Sequence, residues 1–193
     1  DHAFERRDPE SCLLEQLEGQ LSQAAGTADP LDLVNPYRFR LPLAPAVAAA
    51  KQRKTIRLQT ILHAYRELSR KHAWIIVEGA GGILVPIQGR YTYLDLAAEL
   101  NLPVLIIARP SLGTINHTWL TVSALQARNI PIAGIIINHA QKVPATLAVR
   151  TNPAVIAACT GVPVLGVVQQ GKGLSPGLCS RLTEPAGILR RRD

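Results

Sequence analysis

The chain has 193 residues, 47% of them hydrophobic and 18% charged, with 14 glycines and 14 prolines. That is a globular composition, too apolar for a disordered tail. Aromatics make up only 4%, which leaves little for a stacking surface, and no Lys/Arg stripe is interleaved with them, so nucleic acid is not an expected partner. The net charge of +7 falls partly in Arg190, Arg191 and Arg192 and in Lys51, Arg53 and Lys54, short clusters of the kind found on solvated surfaces.

No apolar run approaches the roughly 20 residues of a membrane helix, so no membrane association is expected. Cys12, Cys159 and Cys179 are odd in number and lack a CxxC pair. They argue against a disulfide framework or a zinc site, and for a cytoplasmic location. Methionine is absent even at position 1, where Asp1 stands. The expectation is a processed chain or a piece of a longer one.

In chain order, residues 1–30 form a polar lead-in. Its helix is expected over Ser11–Ala25, where Leu13, Leu14, Leu17 and Leu21 share one face. Asn35-Pro36-Tyr37 and Pro42-Leu43-Ala44-Pro45 follow, a stretch that prolines should keep out of helix. Thr55–Lys71 reads as an amphipathic helix through Leu58, Ile61, Leu62, Tyr65 and Leu68.

A rhythm then sets in. Apolar runs at Trp74–Val77, Pro103–Ala108, Ile132–Ile137 and Val162–Val168 alternate with helical stretches at Leu94–Leu100, Ile115–Arg128 and Pro153–Cys159. Continuous Val/Ile/Leu runs are strands covered on both faces, and their alternation with helices predicts an α/β fold with a parallel sheet. Ligands of such sheets bind where the strands' carboxyl ends meet their loops. Those loops are Glu78-Gly79-Ala80-Gly81-Gly82, Arg109 to His117, Asn138-His139 and Gln169-Gln170-Gly171, expected on one edge as one cleft.

Glu78 ends an apolar run. It is either a strand-end carboxylate bonded to the glycine turn or a ligand for Mg²⁺, which is held by one or two carboxylates plus phosphate oxygens. The glycines after it let backbone amides approach an anion. Ser111-Leu112-Gly113-Thr114-Ile115-Asn116 leads into a helix whose first amides suit a carboxylate or phosphate, with Thr114 or Asn116 alternatively serving as plain N-caps. The Asn138 carboxamide can pair with a purine edge or cap a turn. The five histidines do not cluster at metal-ligand spacing.

Taken together, Val77-Glu78-Gly79-Ala80-Gly81-Gly82, Leu112-Gly113-Thr114-Ile115-Asn116-His117 and Gly134-Ile135-Ile136-Ile137-Asn138 resemble dethiobiotin synthetases in order and separation. The Asn35–Phe39 and Thr160–Gly166 segments resemble the same family, so the likeness runs over roughly residues 20–170. It implies a three-layer parallel sheet of the P-loop NTPase type and an ATP- and Mg²⁺-dependent ring closure that makes dethiobiotin from 7,8-diaminononanoate and CO2. By the resemblance Glu78 holds Mg²⁺, while Gly79, Ala80 and Gly81 line the phosphate site. Asn138 and His139 meet the adenine, and Gln169, Gln170 and Gly171 close over the nucleoside. Gly113, Thr114, Ile115 and Asn116 take the substrate carboxylate across a homodimer interface.

The family's opening strand and GxxxxGK(S/T) phosphate loop have no counterpart among these residues. About 50 residues are therefore expected to be absent from a single, incomplete α/β domain, which should not catalyse as written. A second magnesium carboxylate falls near Glu18, and residues 172–193 form a basic tail resembling nothing in the family. A related ATP-dependent amidoligase, or a non-catalytic homologue serving as a dimerising or partner-binding module, are the alternatives.

Overall fold

The computed structural model describes residues 23, 25–142 and 144–183. The helix expected over Ser11–Ala25, the carboxylate at Glu18 and most of the basic tail lie outside them. Two compact units divide the chain after Tyr93.

The first unit holds α1 (Leu31–Val34), α2 (Pro45–Lys51), α3 (Leu58–Lys71) and a short antiparallel hairpin, β1 (Pro86–Gln88) with β2 (Tyr91–Thr92). Residues 35–44 stay out of helix as expected; the exception is Pro45, which opens α2 at a first-turn position, where the missing N–H has no acceptor to lose. Ala48 and Ala49 of α2 and Ile87 of β1 are buried, and the two elements pack together. The stripe on α3 turns inward as expected, with Leu62 buried and Leu58, Ile61, Tyr65 and Leu68 partly so.

Both ends of α3 are fastened by side chains from earlier in the chain. No side chain caps its N-terminus. Instead the Tyr37 hydroxyl accepts a hydrogen bond from the Arg57 backbone N–H at 2.8 Å, which gives the Asn-Pro-Tyr segment a structural task. At the other end the largely buried Asp29 carboxylate pairs with His72, accepts from the Thr27 hydroxyl and lies 3.4 Å from the Lys71 ammonium.

Trp74–Val77 forms no strand. A strand exists by pairing with a neighbour, and among the described residues none pairs with this run, so Trp74, Ile76 and Val77 stay exposed. The β1–β2 hairpin was not expected, because five strand residues carry too little alternation to register. Gly89, with φ of +54°, begins its two-residue turn, as tight hairpins require.

Helix α4 (Tyr93–Leu100) starts at the last residue of the first unit, and the second unit continues with β3 (Val104–Ala108), α5 (Thr114–Ala127), β4 (Ile132–Asn138), α6 (Leu147–Thr160), β5 (Val164–Val168) and α7 (Pro176–Thr183). The three strands pair in parallel in the order β3-β4-β5, with Ile107 beside Ile136 and Ile136 beside Gly166. This is the expected α/β fold with a parallel sheet, consistent with the P-loop NTPase type. Ile135, Ile137, Val122, Leu125 and Ile156 are almost wholly buried. Leu178 and Leu182 of α7 pack on Ile136 with Leu105 and Leu165, so the start of the basic tail is a covering helix. From it the Arg181 guanidinium donates to the Leu165 carbonyl at 3.0 Å, on β5, one of the two outer strands of this sheet among the described residues.

Helix α6 begins six residues before the expected Pro153, because the Thr146 hydroxyl caps it by accepting from the Val149 N–H. Its Asn152, 5% exposed, donates to the Pro110 carbonyl at 2.9 Å and ties α6 to the loop after β3. Among the described residues no helix is long and apolar enough to cross a membrane.

Two outcomes follow from this packing. The Thr27 and His72 hydrogen bonds hold the Asp29 carboxyl below its ordinary value of 3.8, so its stabilisation is present above that value and is lost as pH falls through the depressed one. Denaturant titrations of wild type and Asp29→Asn should show a stability gap near neutrality that narrows below about pH 4; a constant gap would contradict the pairing. Gly134, with φ of +145°, leaves room for Leu165, whose Cδ1 and Cγ would lie 2.6 and 2.7 Å from an added Cβ. Gly134→Ala should cost about 1–3 kcal/mol in the same titration.

Candidate functional site

Parallel pairing places the carboxyl ends of β3, β4 and β5 on one sheet edge. Three of the four expected loops therefore belong to that edge: Arg109–Gly113, Asn138–Lys142 and Gln169–Lys172. The fourth, Glu78–Gly82, follows a run that is not part of a sheet and belongs to the first unit.

The start of α5 is unusual. Its N-cap is Gly113 in a left-handed conformation, φ +90°, with no side-chain cap. Neither Thr114 nor Asn116 serves as the cap, because the glycine turn brings the chain into the helix at Gly113, ahead of both. The first helical bond runs from the His117 N–H to the Gly113 carbonyl, and helix geometry leaves the Ile115 and Asn116 amides ahead of it without an intrahelical acceptor. Thr114 is 1% exposed and its hydroxyl has no hydrogen-bond partner among the described residues. An orphaned buried hydroxyl costs free energy unless something bonds to it.

Ile115 is half-buried and Asn116 exposed. The His117 ring lies over Gly113, with Cε1 3.4 Å from where a Cβ would stand. Arg109 holds that ring by donating to Nδ1 at 3.0 Å, so the neutral ring carries its proton on Nε2. A guanidinium, two free amides and an unpaired hydroxyl thus come from one loop and one helix start. That is a donor set for a carboxylate or phosphate, with the helix dipole favouring negative charge.

Asn138 ends β4 half-buried, and His139 is buried, its N–H bonded to the Val168 carbonyl at 2.9 Å. This bond joins the loops after β4 and β5. Between them lies a cavity of about 580 Å³ lined by His139, Gln141, Lys142, Gln169, Gln170 and Lys172. Gly171, φ +69°, sits in the turn closed by the Lys172 N–H and the Gln169 carbonyl. His139, Gln169 and Gln170 were expected at this site; Asn138 and Gly171 do not line the cavity. Sequence reasoning missed Gln141, Lys142 and Lys172. Their signal was position alone, one turn beyond the strand ends.

Glu78 is exposed. Its bland role, a carboxylate bonded to the glycine turn, is not what the structure has: no hydrogen bond or ion pair to Glu78 occurs among the described residues. Gly81, φ +96°, lies against Val85, whose N–H bonds the Gly82 carbonyl at 2.9 Å. Gly79 lies on the Tyr93 ring, and the Ala80 N–H donates to the Tyr93 hydroxyl. No group of three His, Cys, Asp or Glu side chains among the described residues could hold a metal alone. A single acceptor-only carboxylate with no partner among the described residues does fit the way Mg²⁺ is shared with nucleotide phosphates. Cys159 and Cys179 form no disulfide among the described residues.

Comparison with known proteins sharpens this. The family described as "AAA domain" matches residues 16–177. The chain is 51% identical to the ATP-dependent dethiobiotin synthetase of Anaeromyxobacter dehalogenans (strain 2CP-C), over 62% of this chain and 54% of that protein. It is 45% identical to the ATP-dependent dethiobiotin synthetase of Bacillus subtilis (strain 168), over 69% and 58%. With that of Thermodesulfovibrio yellowstonii it shares 36% identity over 77% and 65%. The chain thus spans a little over half the length of the curated relatives it matches. It belongs to this AAA domain family, and the relatives it resembles are named ATP-dependent dethiobiotin synthetases.

Proposed function

We propose that the complete protein is a cytoplasmic, ATP- and Mg²⁺-dependent ligase of biotin biosynthesis that closes the ureido ring of dethiobiotin from 7,8-diaminononanoate and CO2. The observation that carries this reading is the start of α5, where a buried hydroxyl without a partner sits beside two uncapped helix amides. A terminal carboxylate satisfies all three at once, and diaminononanoate is a chain that ends in one.

In the reaction, one amine of the substrate adds to CO2 and releases a proton, leaving a carbamate. A carbamate oxygen attacks the γ-phosphorus of ATP and ADP departs. The second amine then attacks the carbon of the mixed anhydride and expels phosphate, closing the ring. Bound Mg²⁺ supplies neutralisation of the phosphate charge. The chain's own residues bind and orient. Glu78 is the carboxylate that holds the ion, and the amides of Gly79 and Gly81 face the phosphoryl group; Ala80 holds the turn between them. Asn138 and His139 meet the adenine, and Gln169, Gln170 and Gly171 close over the nucleoside. Gly113, Thr114, Ile115 and Asn116 bind the carboxylate.

A homodimer fits the outer face of α5, where Trp119 and Leu120 are 48% and 61% exposed. Apolar side chains of that size beside a ligand site are better explained by a second copy than by water.

ADP release by the full-length protein should depend on diaminononanoate and CO2. Release indifferent to the diamine would favour a different ATP-dependent ligase, and no release would favour the non-catalytic reading. Glu78→Gln should lower turnover roughly 100-fold or more with an unchanged unfolding midpoint, since the side chain is exposed and unpaired. Thr114→Val removes an orphaned hydroxyl at constant shape, so it should raise stability by about 1 kcal/mol while raising the KM for the diamine about fivefold. A rise in the KM for ATP instead would assign the α5 start to the nucleotide.

A further inference from the structure

The Glu78–Gly82 loop has neither a strand before it nor a helix directly after it, yet it must present a carboxylate and two amides in fixed directions. What fixes it is downstream. The Tyr93 ring lies under Gly79: Cδ1, Cγ and Cε1 would be 3.1, 3.2 and 3.5 Å from a Cβ there, so the glycine backbone rests on the ring face. The Tyr93 hydroxyl accepts the Ala80 N–H. The Tyr93 backbone N–H donates to the Val85 carbonyl at 3.3 Å, and Val85 in turn bonds Gly82 and fills the space under Gly81. Four consecutive residues, Gly79 to Gly82, therefore rest on Tyr93 and on the residue Tyr93 holds. With the Ala80 amide occupied, Gly79, Gly81 and Gly82 are the loop amides that make no backbone hydrogen bond among the described residues.

We infer that Tyr93 is the positioning residue of the Glu78 loop, its ring the floor for Gly79 and its hydroxyl the fixed partner of the Ala80 amide, so that Glu78 and the flanking amides meet a magnesium-bound phosphate in one geometry. The inference rests on the function proposed above for Glu78. It goes beyond it in naming a residue outside the loop that sets the loop's shape. A tyrosine that merely filled space would need neither a glycine pressed to its face nor an amide on its hydroxyl. Burial also raises the Tyr93 phenol above its ordinary value, so it remains the neutral acceptor and donor throughout the working pH range.

The test uses the full-length protein and Tyr93→Phe, which keeps the ring and removes one hydrogen bond. Without ligands, Ala80 amide exchange should accelerate about tenfold, the loss of one modest hydrogen bond, while amides of β3–β5 keep their rates. With ligands, the KM for MgATP should rise about fivefold and that for diaminononanoate should not move. Gly79→Ala should lower kcat/KM for MgATP about tenfold by lifting the loop off the ring. In a Tyr93→Ala background the added methyl should cost nothing further, since the ring it strikes is gone. Unchanged Ala80 exchange in Tyr93→Phe, or multiplicative losses in the double variant, would overturn the inference. Should Glu78→Gln leave turnover intact, the metal role of Glu78 fails by itself, and Ala80 exchange with the Gly79–Tyr93 coupling still decides whether Tyr93 shapes the loop.

Discussion

Parallel pairing of β3, β4 and β5 is the constraint on which the second unit depends. Each strand is a run of five to seven residues rich in Val, Ile and Leu, and each is joined to the next through a 14-residue helix. A helix crossover returns the chain to the starting edge of the sheet, so all three strands point the same way and their exits fall together. Burial of Ile135, Ile137 and Ile156 is what holds that arrangement. The loops gathered at that edge are its by-product: no loop needs a special sequence to reach the edge, only to behave once there.

How the loops behave is set by a few backbone demands. Gly113 in a left-handed conformation delivers the chain to α5 without a capping side chain and so keeps the helix amides available. A serine or aspartate at that position would satisfy them internally and close the site. The same loop is pinned from behind by Asn152, which reaches the Pro110 carbonyl from α6. A helix on one side of the sheet thereby holds a loop whose far end starts another helix. Rigid elements on both flanks are how a short loop attains the precision that binding needs.

Much of this was legible in the sequence, because periodicity is a strong signal when it is long. The runs at 104–108, 132–138 and 164–168 and the helices at 58–71 and 114–127 follow from it to within a few residues. Illegible features depended on partners far along the chain. Trp74–Val77 has the composition of a strand, but pairing is a property of two segments and composition reports one. Pro45 as a helix opener and Thr146 as a helix cap are local, but each competes with a neighbouring proline that argues the opposite. At the site, the glycine loops and the α5 start stood out by residue type, whereas Tyr93, Asn152, Lys142 and Lys172 did not. Their importance comes from what they touch, and nothing in their own neighbourhoods of sequence marks them.

Among the described residues β3 and β5 are the two outer strands of the sheet, and an outer strand carries backbone groups that can recruit a strand from another molecule. The Arg181 guanidinium occupies the Leu165 carbonyl from a helix that also covers the adjoining apolar face. The helix at the start of the basic tail thus takes up one backbone acceptor of β5 and sets a positive charge beside it, two features that oppose edge-to-edge strand pairing.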